Sequence, residues 1–257
     1  MSIGIFDSGI GGLTVFREVA KEFPQADIYY LGDTARVPYG NKSKETVIRY
    51  SVEAARYLTG FGIDALIVAC NTASSYALET LKEMLDIPVI GVVKPGVEMA
   101  LRKTKNKRVG VIGTLATIKS NSYRDLLNKR GIHVFQKPCP LFVPLVEEGI
   151  VEGEIAELVV RNYIDELVGE GIDTLILGCT HYPLLKDTIK KLYPEIEIVD
   201  SSQAIAEFLH NEDLKFNGRG SRRIFITDES ESFKRLKTVL VGDIPVEKIE
   251  LSEICRI

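Results

Sequence analysis

Two cysteines stand at matching places in the chain, and both places suit a group that moves a proton. Cys70 follows the apolar run Ala65-Leu-Ile-Val-Ala69, and Cys179 follows Thr174-Leu-Ile-Leu-Gly178. Helix-start chemistry comes next in each case: Asn71 and Thr72 suit an N-cap, and Pro183 suits a first helical turn. Open parallel sheets bind ligands at the carboxyl ends of their strands. A thiol at that edge, beside a helix N-terminus, feels positive potential and unpaired backbone N–H groups, which predicts a lowered pKa. A lone cysteine here reads first as a small buried hydrophobe. Two at equivalent positions, next to Asn71, Thr72, Thr180 and His181, read instead as an acid/base pair. Thiols on opposite sides of one ligand suit exchange at a stereocentre, one taking a proton from one face and the other supplying a proton to the opposite face. Metal or redox use competes, but no CxxC, HExxH or clustered histidine supports it. Cys139 and Cys255 lack the setting and read as structural.

Other residues cluster around the same strand ends. Asp7-Ser8-Gly9-Ile10-Gly11-Gly12 follows the first apolar run, Ile3–Phe6. It fails GxGxxG at Thr14 and the phosphate-binding GxxxxGK[ST] at Ile10, and Asp7 would repel a phosphate. Its glycines predict a tight turn and close ligand approach. Asp7 reads equally as a helix cap and as the partner of a base or ammonium. Val37-Pro38-Tyr39-Gly40-Asn41 reads as a turn. His181, two residues after Cys179, suits an acid/base role. Residue chemistry does not separate Glu147 from its neighbour Glu148.

These residues need a scaffold of alternating strands and helices. Strands are predicted at Ile3–Phe6, Ile28–Leu31, Ala65–Ala69 and Val89–Val92, with helices at about Gly12–Phe23, Lys44–Thr59 and Thr72–Leu85. The pattern restarts with strands at Arg108–Ile112, His133–Gln136, Leu175–Leu177 and Glu197–Val199, and helices at Ser120–Lys129, Ile155–Gly169 and Leu184–Leu192. Ile3–Ser8 aligns with Val109–Thr114 at an offset of 106, and Asp64–Thr72 aligns with Asp173–His181 at an offset of 109. Two matches in the same order point to an internal duplication. The expected fold is therefore α/β: two similar domains with mostly parallel sheets flanked by helices and a site between them. The expected division is 1–94 plus 205–257 for the first domain and 95–204 for the second, with a junction near Lys94-Pro95-Gly96. The last part, with a helix at Gln203–Leu209, a polar loop at Asn211–Ser221, a strand at Arg223–Thr227 and a helix near Ser232–Val239, is expected to return to the first domain.

Composition narrows the partners. The net charge of −4 over 257 residues gives no electrostatic case for nucleic acid or an anionic membrane. No apolar run reaches the roughly 20 residues of a membrane span, and the N-terminus does not read as a signal peptide. A reduced, cytoplasmic setting is the expectation.

The motifs taken together resemble the glutamate racemases of the aspartate/glutamate racemase superfamily. They are Ile5-Phe-Asp7-Ser8-Gly-Ile-Gly-Gly-Leu-Thr, Pro38-Tyr39-Gly40, Val68-Ala-Cys70-Asn71-Thr72-Ala, Gly113-Thr114 with Thr117, Val143-Pro-Leu-Val-Glu147, and Leu177-Gly-Cys179-Thr180-His181-Tyr-Pro. The resemblance spans nearly the whole chain. It implies racemisation of glutamate without pyridoxal phosphate or metal, a homodimer, and a role in supplying D-glutamate for peptidoglycan. It implies that Cys70 and Cys179 are the proton donors and acceptors, with Asp7 assisting Cys70, His181 assisting Cys179, and Glu147 a further site carboxylate. It also implies substrate contact through Asp7, Ser8, Tyr39, Gly40, Asn71, Thr72, Thr114, Thr117, Thr180 and His181. A racemase for another substrate such as aspartate, a binding module without turnover, and a thiol redox protein are the alternatives.

Overall fold

The structure, a computed structural model, describes residues 2–212, 216 and 218–255. Part of the polar loop expected at Asn211–Ser221 lies outside the described residues. The first stretch runs β1 (Ser2–Asp7), α1 (Leu13–Glu22), β2 (Asp27–Gly32), α2 (Lys44–Thr59), β3 (Ala65–Val68), α3 (Asn71–Tyr76), α4 (Leu78–Met84) and β4 (Val89–Gly91). The second runs α5 (Val93–Lys103), β5 (Arg108–Gly113), α6 (Leu115–Lys119), α7 (Ser122–Asn128), β6 (His133–Pro138), α8 (Phe142–Glu147), α9 (Glu154–Gly169), β7 (Thr174–Gly178), α10 (Lys186–Leu192) and β8 (Glu197–Asp200). The chain closes with α11 (Ser201–Asn211), β9 (Arg222–Ile226), α12 (Glu231–Val241), β10 (Val246–Lys248) and α13 (Leu251–Cys255).

Two all-parallel sheets result. One has the order β10-β9-β2-β1-β3-β4, the other β6-β5-β7-β8. The inner order β2-β1-β3-β4 is repeated as β6-β5-β7-β8, and the register repeats with it. Ile3 pairs with Ala65 in the first sheet, and Val109 pairs with Thr174 in the second. The packing above the strands repeats as well. A Cβ on Gly4 would meet Ile63 Cδ1 at 2.5 Å, and one on Gly110 would meet Ile172 Cδ1 at 2.6 Å. Both glycines therefore admit the same close helix-side contact in their own half. The terminal segment returns to the first sheet as expected, through β9 and the additional edge strand β10.

The inner strands β1, β3, β5 and β7 are buried on both faces, as crossover helices require, whereas the edge strands β6 and β10 are half-buried or exposed. Each sheet has an outward core of its own, around Val47, Leu58 and Leu66 in the first and Val97, Val109 and Ile176 in the second. The inward faces share one core that joins Ile5 and Ile67 to Phe142 and Leu177. Burying each such side chain contributes about 1.5–3 kcal/mol, so this shared core holds the halves together and aims their strand ends at one cleft.

Several local expectations change. Lys94-Pro95-Gly96, where the junction is expected, lies in the first turns of α5, where proline needs no intrahelical donor. The boundaries 94/95 and 204/205 thus fall inside α5 and α11. Asn71 and Thr72 do not cap α3; Cys70 itself is the N-cap residue, with extended backbone. The long helix expected at Thr72–Leu85 breaks at Ala77 into α3 and α4. The short helices α6, α8 and α13 fall below the window in which helical periodicity is readable.

Candidate functional site

The carboxyl ends of β1 and β3 carry Asp7 and, one residue after Ala69, Cys70; the end of β7 carries Cys179. The two thiols line one small cavity between the halves. Its wall includes Ser8, Tyr39, Gly40, Asn71, Thr72, Thr114, Thr180 and His181, with Val37, Pro38, Val143 and Gly178 beside them. Its volume is about 20 Å³, space for about one water. A larger cavity of about 250 Å³ adjoins it, sharing Val37, Pro38, Gly40, Thr114 and Val143 and reaching Glu147. The small cavity by itself is too narrow for a molecule of amino-acid size.

Each thiol has a distinct partner set. Cys70 donates to Ser8 Oγ at 3.5 Å. Burial, with a smaller contribution from the nearby Asp7 carboxyl, pushes its pKa up to about 12. The lowered value expected from helix position is thus overturned for Cys70: desolvation in a closed cavity outweighs the pull of the α3 N-terminus. Cys179 Sγ lies 3.9 Å from His181 Nδ1. Burial alone would lower the His181 pKa, but its hydrogen bond to Cys179 and its attraction to Glu147 and Cys179 raise it to about 10. Glu147 Oε1 stands 3.2 Å from His181 Nε2. The approach is within ion-pair distance but off the N–H direction, so Nε2 has no aligned hydrogen bond. The ambiguity between Glu147 and Glu148 resolves here: α8 ends with Glu147 facing the imidazole and Glu148 exposed.

Asp7 is fully buried behind the cavity wall. Its carboxyl accepts from Gly9 N at 2.9 Å and from Thr180 Oγ1 at 3.2 Å. Burial raises its pKa, with His181 and these donors acting in the opposite sense. The glycine loop makes the expected turn, closed by Leu13 N–H donating to Ile10 O at 3.0 Å, and it serves a second purpose. None of Gly9, Gly11 and Gly12 has positive φ. A Cβ on Gly11 would sit 2.5 Å from Thr180 Oγ1 and 2.6 Å from His181 Nδ1, and one on Gly12 would sit 2.3 Å from Asp7 Cβ. The loop is bare so that the Cys179 loop of the other half can rest on it.

Three threonine hydroxyls close a triangle across the halves. Thr72 Oγ1 lies 2.9 Å from Thr114 Oγ1 and 3.0 Å from Thr117 Oγ1, and the last two are 3.0 Å apart. Thr117 is buried behind the wall, and Thr114 also caps α6. The Tyr39 hydroxyl is committed to Asp33, so Tyr39 meets the cavity without it. The Asn71 side chain is likewise engaged: Oδ1 accepts from Tyr123 at 2.6 Å and Nδ2 donates to Ser201 Oγ at 3.3 Å.

Sequence reading missed Asp33, Tyr123 and Ser201. Asp33 is fully buried, accepts from Arg36 Nε at 2.7 Å and Thr227 Oγ1 at 3.2 Å, and holds the Tyr39 turn. Its place after β2, beside Asp7 at the same sheet edge, is the signal that could have found it. Among the described residues no group of His, Cys, Asp and Glu is arranged to hold a metal ion, and all four cysteines are free. No helix of the described residues is long and apolar enough to cross a membrane.

A paired-thiol cleft on a duplicated α/β fold narrows the search, and comparison decides the family. A model of the Asp/Glu/Hydantoin racemase family matches residues 13–209. The glutamate racemase of Persephonella marina is 69% identical over the full length of both chains. The chain belongs to the glutamate racemase family. It is therefore an amino-acid racemase, an isomerase. The crystal structure of a glutamate racemase isoform from Bacillus anthracis superposes with a TM-score of 0.91 at 38% identity, covering 97% of each chain. That of the Francisella tularensis enzyme, in complex with D-glutamate, gives 0.89 at 37% identity and the same coverage. These likenesses match the two parallel-sheet domains described above.

Proposed function

We propose that the chain interconverts L- and D-glutamate by two-thiol proton transfer at Cα. The observation that carries this reading is the convergence of Cys70 and Cys179, from equivalent strand ends, on one cavity. Glutamate would lie with Cα between the sulfurs, one thiolate taking the α-proton and the other thiol returning a proton from the opposite face. The protonation pattern supports an unequal pair at rest. Cys70 is held as a thiol, whereas Cys179 has the raised-pKa imidazole of His181 beside it, 3.9 Å from its sulfur. Asp7 would assist Cys70, and Glu147 would hold the imidazolium.

The α-proton of an amino acid is a very weak acid, so the carbanion needs stabilisation. The N–H groups of Asn71 and Thr72 open α3 without an intrahelical partner and, with the hydroxyls of Thr72 and Thr180, are suited to the α-carboxylate, while the Ala73 N–H faces the Cys70 sulfur. Ser8 and the Tyr39–Gly40 turn would meet the rest of the substrate, and Thr114 and Thr117 would hold Thr72 towards it. Closure to a cavity of about 20 Å³ supports water exclusion, which strengthens each of these interactions. Domains 1–94 plus 205–257 and 95–204 would move as the closing bodies, a division supported by sheet membership though its edges cut two helices.

The reading extends to a cofactor-independent enzyme that supplies D-glutamate for peptidoglycan in a bacterial cytoplasm. Proton NMR of reduced protein in D₂O with L-glutamate or L-aspartate, chelator present and pyridoxal phosphate absent, tests the chemistry. Deuterium at Cα of glutamate together with D-glutamate is the expected result. Exchange into aspartate alone would move the substrate, and none into either would sink the racemase reading. A homodimer is proposed as well, consistent with exposed apolar side chains at Leu141, Ile155 and Leu158. Sedimentation should give twice the chain mass; the monomer mass at micromolar concentration would refute it.

A further inference from the structure

We infer that Tyr123 is a positioning residue that sets the separation of the two catalytic thiols. The inference rests on the two-thiol reading above and adds a residue outside the cavity wall. Tyr123 lies on α7 of the second half and is 1% exposed. Its hydroxyl donates to Asn71 Oδ1 at 2.6 Å, and Asn71 directly follows Cys70. Its ring lies against Gly178, which directly precedes Cys179: a Cβ added to Gly178 would meet Tyr123 Cε2 at 3.3 Å. One rigid aromatic side chain thus touches the neighbour of each sulfur, one by a hydrogen bond and the other by van der Waals contact. No other side chain described above has both contacts.

The surroundings of the ring make it a pivot. A Cβ on Gly96 would come within 3.3 Å of Tyr123 Cε1, so the ring also packs on α5, the helix that follows β4 and begins the second half. Ser201, at the start of α11, accepts from the other end of the Asn71 amide at 3.3 Å. Asn71 is therefore held at both ends by the second half, next to the helices that connect the halves, α5 and α11, which pack on each other. The Gly40–Thr114 contact lies where the thiol cavity meets the larger one, with Val37 and Val143 in the wall of both. Opening at that side can admit substrate while the Asn71–Tyr123 bond holds the Cys70 loop in register with the Cys179 strand.

Proton transfer depends steeply on distance, and a misplacement of about 1 Å can cost about 10²-fold in rate. Removal of the hydroxyl while the ring is kept is the direct test. In Tyr123→Phe, kcat for both enantiomers should fall by at least about tenfold with KM changed less than about threefold. The primary isotope effect with α-deuterated glutamate should rise, because the transfer itself has slowed. A merely structural role lowers the active fraction and leaves the isotope effect unmoved. Ser201→Ala, which frees the other end of Asn71, should shift kcat and isotope effect in the same sense, and it serves if Tyr123→Phe fails to fold. Wild-type protein is assayed alongside: an inactive wild type sinks the racemase reading. Active wild type with unchanged kcat or an unchanged isotope effect in the folded variants overturns the role of Tyr123.

Discussion

Cys70→Ala and Cys179→Ala should each abolish racemisation by at least about 10³-fold, the range expected for losing a positioned acid or base, while the protein stays folded. Both thiols are small and sit at the cavity wall, so alanine removes one sulfur and keeps the Cβ that each contributes to its apolar cluster. The geometric reason for total loss is stereochemical. With one thiol gone, one face of Cα has no proton donor, and the carbanion can only be reprotonated from the face it came from. Each variant should keep its native circular dichroism and lose conversion of both enantiomers. Because enantiomers have equal free energy, kcat/KM must fall by the same factor in both directions. Substantial racemisation by either folded variant would defeat the two-thiol scheme and leave Cys70 or Cys179 as a core residue.

The second large effect concerns His181. Burial works against its charge, yet the contact with Cys179 and the Glu147 carboxylate raise its pKa from 6.5 to about 10. The folded state therefore binds this proton more tightly than the unfolded chain does. Its stabilising contribution is present in full below about pH 6.5, and it is lost as pH rises through about 10. Unfolding midpoints measured from pH 6 to 10 should fall with pH in the wild type and fall less steeply in His181→Asn. The same substitution removes the imidazole beside Cys179, and kcat should drop about 10²-fold, as for an acid/base partner. Equal pH slopes in the two proteins would show that the imidazole is not held charged. Unchanged kcat would show that it does not serve Cys179.

The fold was legible because duplication leaves marks at the level of single strands. Ile3–Ser8 against Val109–Thr114, and Asp64–Thr72 against Asp173–His181, predicted two halves, and the pairings Ile3 to Ala65 and Val109 to Thr174 carry those offsets into sheet register. Misreadings cluster where a local signal has a tertiary cause. Pro95-Gly96 looks like a breaker pair, yet proline is tolerated in the first turn of α5, and Gly96 is small because Tyr123 lies against it. Gly11 and Gly12 do form the expected turn, but with ordinary backbone, and the reason for their missing side chains is the room left for Thr180, His181 and Asp7. Motif matching found the residues of the cavity wall. It passed over Tyr123, Ser201 and Asp33, which act on those residues from behind.

By itself the sequence determined the strand-helix alternation, the repeat, and the places of Cys70 and Cys179 at strand ends, because hydrophobic period and helix-start residues are local properties of the chain. The tertiary structure alone decided which groups meet across the halves: His181 with Glu147 rather than Glu148, Asp7 with Thr180, and Asn71 with Tyr123. It also reversed the expected direction of the Cys70 pKa. A helix N-terminus is visible in a few residues, but desolvation is the summed effect of everything that closes over a side chain, and those atoms come from segments far apart in sequence.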